Sequence, residues 1–554
     1  MSTERKRALI AVGRRVAFAG LILLGAWLVL AVSRAAIPGS VIDLLVAKLM
    51  NAGKWPVDLT NWSNSWWAGQ PVGELIGEPL GHTAQLVVLG GLLGLAIAAV
   101  LLFLGVLISR VTDRPTWLAR VRGVLRLVLV SSGVTTSIFW GATLFIVYRA
   151  IGAPTPSGWE VYYVSLLPAW LLVQAGHGEL GKLSGSYGLL ARHLAVRLVT
   201  RLLKLVGAII AISVLVEVIF NSQGLGRLLL NAVNQGDFPV AFGIAWVFVL
   251  IVVLVKLVAD LIEIAYSHFS SQSESTEDTE EKVAPRLRIP MGWLVFSLAL
   301  VLVSIVVAVV GPAFAPYGMN EISLADRLAP PSAEHVLGTD NLGRDIFSRL
   351  LYGIRIDILV GFMSAGILVV IATCWATLAA YLRKANNWLG DTLEDVVMLP
   401  RDVVCAFPWL VLLMLLMSIV GPGLLQVALV GGLVVLLPRA VGMMREAYSS
   451  PPQGRGWLYS VLWSIPVMFI LAVAGSILYT SSLSYLGFGI PPPTPELGGM
   501  LSGTGRQYML MAPWMVLWPG LVLALLSFVW VMAGDALLER LGFRTKAVWA
   551  KAVE

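Results

Sequence analysis

The sequence predicts an all-α, polytopic membrane protein of about twelve transmembrane helices, and three features of its 554 residues point there. Only 13% of the residues are charged and 58% are hydrophobic, where a soluble domain is roughly one-quarter charged and under half apolar. The apolar residues recur in long runs, close to the ~20 residues that a helix needs to cross a bilayer. The net charge of +7 comes from Lys and Arg gathered in short loops between those runs, the pattern that orients helices in a membrane rather than one that binds nucleic acid. A soluble enzyme, a disordered chain and a collagen-like chain are thereby excluded. Cys374 and Cys405 both lie in apolar runs and offer neither a disulfide framework nor a metal cluster.

The first span is expected at about 16–32, after Arg5-Lys6-Arg7 and Arg14-Arg15. Its apolar core is longer than that of a signal peptide, so a retained span with a cytoplasmic N-terminus is favoured over cleavage near Ala35-Ala36. Further spans are expected at about 82–108, 124–149, 161–175, 205–222 and 240–265. The loop with Arg110, Arg114, Arg120 and Arg122, and the loop with Lys182, Arg192, Arg197, Arg201 and Lys204, should then be cytoplasmic. The stretch 35–80, with Trp55, Trp62, Trp66 and Trp67, falls on the other side, where aromatic residues favour the membrane boundary.

Residues 269–288 form a polar, Ser/Glu-rich stretch without apolar periodicity, read as a cytoplasmic linker. It separates a first half, 1–268, from a second, 289–554, whose spans are expected at about 290–312, 356–382, 396–418, 423–443, 458–481 and 514–534. Both chain ends then face the cytoplasm. Arg344, Arg349 and Arg355 fall on the outer side, against the charge bias, so the amphipathic run 341–355 is expected at the interface.

No catalytic constellation emerges, and no cofactor or metal is expected. The histidines are scattered, without H-E-x-x-H spacing. Gly176-His-Gly-Glu-Leu-Gly181-Lys182 fits G-x-x-x-x-G-K, but Leu183 stands where Ser or Thr should bind magnesium, and an apolar membrane run precedes it in place of a strand. Ionisable residues inside spans are few: Asp402, best explained as a partner of Arg401, and Lys256 and Asp260 near a span end. If such a chain moves a solute, then with neither an ion relay nor its own ATPase it needs an external motor.

Several motifs narrow the class. The second half carries His335-Val-Leu-Gly338-Thr339-Asp340-Asn341-Leu-Gly343-Arg344-Asp345, then Arg401-Asp402 with Phe407-Pro408, and Leu483-Ser484-Tyr485-Leu486-Gly487-Phe-Gly489-Ile-Pro491-Pro492-Pro493. The first half carries Val216-Glu217-Val-Ile-Phe220-Asn-Ser-Gln-Gly224-Leu225-Gly226-Arg227, then Asp237-Phe238-Pro239. Gly224, Gly226, Gly487, Gly489 and the proline run are expected to end spans and shape loops.

In this order the segments resemble the permease subunits of dipeptide, oligopeptide and nickel ABC importers, and the two halves look like both permease subunits fused in one chain. The resemblance implies two six-helix, type I ABC importer permease halves around a central pathway. It also implies alternating access, two partner ATPase subunits or domains, an extracytoplasmic solute-binding protein and a multi-pass location in the cell's inner (cytoplasmic) membrane. The outer mouth would comprise Glu217, Gly224, Gly226, Gly487, Gly489 and Pro492. The family's cytoplasmic E-A-A-x-x-x-G helix, which engages the ATPase, is abbreviated here. Arg445-Glu446-Ala447 with Gly454 stands for it in the second half, and Gly188 with Arg192-His193 in the first. Pro451-Pro452 interrupt the former, and the E-A-A part is missing from the latter. Short peptides are the expected solute, with nickel or another small solute as the alternative. An ion-coupled transporter of two repeats is the competing class, and a non-transporting scaffold the third.

Overall fold

A computed structural model describes residues 3–35, 65, 70–111, 164–165, 196, 198–271, 291–384, 388–449, 456–502, 504–508 and 511–541. The described residues are helical, joined by turns and one isolated bridge, Thr339 with Asp345. In chain order the helices are α1 (Thr3–Ala35), α2 (Val72–Val111), α3 (Val206–Phe220), α4 (Leu225–Gln235), α5 (Phe238–Ser271) and α6 (Met291–Val310). They continue with α7 (Ile346–Lys384), α8 (Trp388–Ala406), α9 (Trp409–Val420), α10 (Leu424–Gly431) and α11 (Leu437–Ser449). The last are α12 (Trp457–Tyr485), α13 (Leu497–Leu501), α14 (Thr504–Tyr508) and α15 (Trp514–Arg540).

Among the described residues, eight helices are long and apolar enough to cross a membrane, or ten if each of two bent pairs forms one span. The span expected at 124–149, that expected at 161–175 apart from 164–165, the four tryptophans of 35–80 and the G-x-x-x-x-G-K stretch lie outside the described residues. So does the linker beyond Ser271. Large apolar side chains face outward in rows, as with Val295, Leu302, Val306 and Val309 along α6. Such a surface is stable against lipid and not against water.

The expected straight spans at 205–222 and 396–418 are instead bent, by 57° at Leu205 and by 89° between α8 and α9. The second break has a plain cause. Phe407 precedes Pro408, whose ring disfavours helical backbone at the residue before it, so α8 ends at Ala406 and α9 starts afresh beyond the proline. At Leu205 the amide is shared between the Arg201 and Leu202 carbonyls, a local tightening of the turn. The elbow leaves α8 and α9 between two apolar cores. Val403, Phe407, Leu410 and Val411 pack with α1, α3 and α5, whereas Met398, Leu413 and Met417 pack with α7, α11 and α12.

A second irregularity falls at the crossing of α7, α10–α11 and α12. A single π turn, Gly432–Leu436, joins α10 to α11 just before Pro438, where an α-helix would drive the proline ring into a carbonyl one turn back. Arg439 donates to the Val435 carbonyl and Arg401 to the Pro438 carbonyl, 2.8 Å away. At the same crossing Gly431 lies flat against the Tyr479 ring, and the Tyr479 hydroxyl meets Ser364 Oγ at 2.7 Å.

α7 begins at Ile346, a full ten residues before the expected span. The run 341–355 is therefore not a separate interfacial segment; from Ile346 it is the first turns of α7. That shift places Asp357 three turns inside a continuous helix.

Candidate functional site

The sequence-selected residues divide between the two ends of the bundle. At one end, Glu217 of α3 is fully buried. Its Oε1 accepts from Thr83 Oγ1 of α2 at 2.7 Å, and its Oε2 accepts from the Gly226 amide at 2.6 Å. Thr83 Oγ1 in turn accepts from the Leu225 amide at 2.8 Å. The first two amides of α4, which have no partner within their own helix, are thus taken by a carboxylate on α3 and a hydroxyl on α2. Gly224 and Gly226 are required by the approach: a Cβ at 224 would overlap the Glu217 carboxyl, and one at 226 would lie 2.6 Å from Val214 Cα. They do not end α3, contrary to the expectation. Asn221 does so, in left-handed conformation (φ 61°), with the Ser222 amide bonded to the Glu217 carbonyl.

The same end of the bundle carries the turn after α12. Gly487 (φ 93°) closes that helix as expected: its amide bonds the Ser484 carbonyl and the Phe488 amide bonds the Leu483 carbonyl. Gly489 packs on Ser484, and Pro492 is exposed at the tip. Glu496 then caps α13, its carboxyl accepting from the amides of Gly498 (3.1 Å) and Gly499 (2.8 Å). Glu496 is buried, and that burial pushes its carboxyl up to about 7. Beside it stands a platform from the 335–349 motif. Asp340 accepts from the amides of Leu342 and Arg344 and from Arg344 Nε, while Asp345 accepts from Ser348 and faces His335 Nδ1 at 3.1 Å. Trp514 at the start of α15 donates to the Thr339 carbonyl. Asp340 and Asp345 stood in the 335–345 motif read from the sequence, whereas Asp357 and Glu496 were not singled out. For Glu496 the signal available was a carboxylate two residues before Gly498-Gly499; Asp357, inside an apolar run, offered none.

At the opposite end, charges pair across elements. Arg14 meets Asp395, Arg15 meets Asp260 at 3.1 Å, and Lys204 meets Asp260 and Glu263. Arg401 and Asp402 pair at 2.8 Å, as the sequence suggested. Arg445 is bound to Glu394 of α8, and neighbouring Glu446 and Ala447 are half-buried on α11. Gly188, Arg192, His193 and Gly454 lie outside the described residues. Because the Glu394 side chain is nearly buried, Arg445→Ala should lower the thermal midpoint of the purified chain. The equivalent stability loss is about 1–3 kcal/mol, and Glu394→Gln should recover part of it in the double variant. Independent, additive losses would show that the pair does not couple α8 to α11.

The fold and its paired ends define a polytopic helical membrane protein with structured turns at one end and a charged, ion-paired other end. Residues 187–266 match the family model described as binding-protein-dependent transport system inner membrane component. The chain is 30% identical over 301 residues to the dipeptide transport system permease protein of Haemophilus influenzae, across 99% of that protein and 49% of this chain. It is 29% identical to the nickel transport system permease protein of Escherichia coli K12, across 92% of it and 44% of this chain. Against the glutathione transport system permease protein of Pectobacterium atrosepticum it is 32% identical, across 80% of it and 42% of this chain. The chain belongs to this family of inner-membrane permeases of ABC importers.

Proposed function

We propose that the chain is both permease subunits of a peptide importer in one polypeptide, joined through 269–288. The observation that carries this is one of length: a full-length dipeptide permease relative is matched by 49% of the chain, leaving room for a second unit of the same size. A related device supports it: Glu217 of α3 accepts from the Gly226 amide of α4, and Glu496, in the turn after α12, accepts from the Gly498 amide of α13, so in each half a carboxylate takes a first-turn amide of the short helix that follows a span. The end that carries both turns is the extracytoplasmic mouth, where a solute-binding protein docks on Gly487, Gly489 and Pro492 of one half and on Gly224 and Gly226 of the other. The ion-paired end faces the cytoplasm, in keeping with its Lys and Arg residues, and so do both chain termini. Two ATPase subunits engage the loops around Gly188–His193 and Arg445–Gly454. Their closure on ATP shifts the pathway between outward- and inward-facing states, because ATP binds the two states with different affinity.

The test is native mass spectrometry of the complex purified from cells that also express its ATPases and binding protein, followed by uptake assays in proteoliposomes. Two ATPase subunits per single chain are expected, with ATP-dependent uptake of labelled di- and tripeptides. One ATPase per chain, or two copies of the chain per complex, would refute the fusion. Uptake of nickel but not of peptides would move the solute to that of the nickel relative. In the same assay Glu446→Arg should abolish uptake while leaving the chain folded, if α11 leads into the ATPase contact.

A further inference from the structure

The outer turn of the second half meets a membrane helix through two carboxyl groups. Asp357 of α7 is 1% exposed, and neither Oδ1 nor Oδ2 receives a donor. It faces Glu496, which is itself 1% exposed, and the Leu497 amide beyond it, which does not meet it in hydrogen-bond geometry. The juxtaposition is fixed by packing: one turn before Asp357, Gly353 lies against Leu497, where a Cβ would stand 3.4 Å from the leucine Cδ2. From α12, Ser484 turns toward Glu496, its hydroxyl also buried and without a hydrogen-bond partner. Among the described residues neither carboxyl has an ion-pair partner. Arg355, two residues before Asp357, is exposed on the other side of α7, and α15 carries its charged residues, Asp535, Glu539 and Arg540, in its last two turns.

Two ionised carboxylates held together in so dry a site would repel strongly, and each would lack the solvation that makes its charge tolerable. The two groups are not equivalent. Glu496 already accepts two backbone amides, the environment that suits a carboxylate, whereas Asp357 accepts none. A proton on Asp357 turns it from an unsatisfied acceptor into a donor toward Glu496, which satisfies both groups and leaves one charge in place of two. We infer that Asp357 and Glu496 form a proton-binding site that holds one proton at neutral pH. That shared proton is the hydrogen bond fastening the 486–501 turn to α7. The inference concerns the free chain and is independent of what is transported.

Infrared spectroscopy of the purified full chain in lipid nanodiscs tests this at neutral pH. The wild type is expected to show a protonated-carboxyl stretch, sensitive to deuterium exchange, with the intensity of one carboxyl. Asp357→Asn, which keeps the shape and a donor toward Glu496, should remove that band with little loss of thermal stability. Glu496→Gln should remove or shift the same band, so one folded variant suffices. The sign of the pH dependence is also set: the folded chain keeps a proton that the unfolded chain releases, so stability falls as pH rises through the pair's titration. Asp357→Asn should flatten that fall. Absence of any band that depends on Asp357 would overturn the inference, as would a band indifferent to Glu496→Gln. A thermal midpoint that follows sodium or potassium concentration rather than pH would also overturn it, by making a metal cation the occupant.

Discussion

The substitution Glu217→Ala is expected to lower the stability of the folded chain by about 2–6 kcal/mol, because it orphans two buried donors at about 1–3 kcal/mol each. The Gly226 amide loses its acceptor outright. Thr83 loses the acceptor for its proton while still accepting from Leu225, so α4 keeps its bond to α2 and loses its anchor on α3. Glu217→Gln separates this from a general intolerance of change at a buried site. The amide keeps one acceptor oxygen, and the Thr83 hydroxyl can rotate, so the loss should fall to about half or less. Thermal unfolding in detergent, followed by size-exclusion recovery, checks the order: wild type above Gln above Ala. If Gln and Ala are equally destabilised, charge rather than hydrogen-bond count holds the site, and Thr83→Val should then be nearly silent.

Most of the helices were legible as apolar runs, and their bends and polar anchors were not. Hydropathy averages over a window, so α8 and α9 merge into a single run at 396–418 although Phe407-Pro408 stood in plain view as a motif. The opposite error occurred at α7, whose first ten residues include Arg349 and Arg355 and so resemble an amphipathic surface segment. In the structure Arg349 is tied to the Met319 carbonyl and sits near Asp340, partners supplied by the loop before the helix. Of the mouth residues, Glu217, Gly224 and Gly226 were chosen as a shared motif, and the structure brings them into contact. The reason for the contact was hidden, because Thr83, the group that completes it, lies 134 residues away in sequence. Asp357 was missed for a related cause. With the span started at 356, the residue looked like a terminal charge rather than a buried one, and its counterpart Glu496 looked like part of a loop. Arg445 shows the limit in the other direction. A residue chosen for a partner protein is engaged by Glu394 of its own chain, which a motif match has no means to reveal.

Alanine at either of two glycines should have an effect as large as Glu217→Ala, and the two should behave alike if the halves share one design. Gly226→Ala sets a methyl 2.6 Å from Val214 Cα, and Gly498→Ala sets one against the Ser481 backbone, at Cα and carbonyl alike. Both neighbours are main chain within a span, so neither can turn aside as a flexible side chain would. The short helix must lift off; in the first half this stretches the Gly226 amide bond to Glu217 on α3, and in the second it parts α13, together with its Glu496 cap, from α12. Overpacking of this kind costs about 1–3 kcal/mol, and loss of the cap, where it occurs, adds about 0.5–2 kcal/mol. Gly292→Ala on α6, with open space around it, should be neutral or slightly stabilising. Gly487→Ala also meets no neighbour, but its φ of 93° makes it a test of backbone strain alone, expected at about 1–2 kcal/mol. The order of thermal midpoints should therefore run Gly292→Ala, Gly487→Ala, then Gly226→Ala and Gly498→Ala together. Parallel losses in the last two, with peptide uptake falling alongside, would tie both outer turns to a common role. A severe effect at one and silence at the other would mean that the likeness of the two devices is geometric only, and that one half bears the mouth without the other.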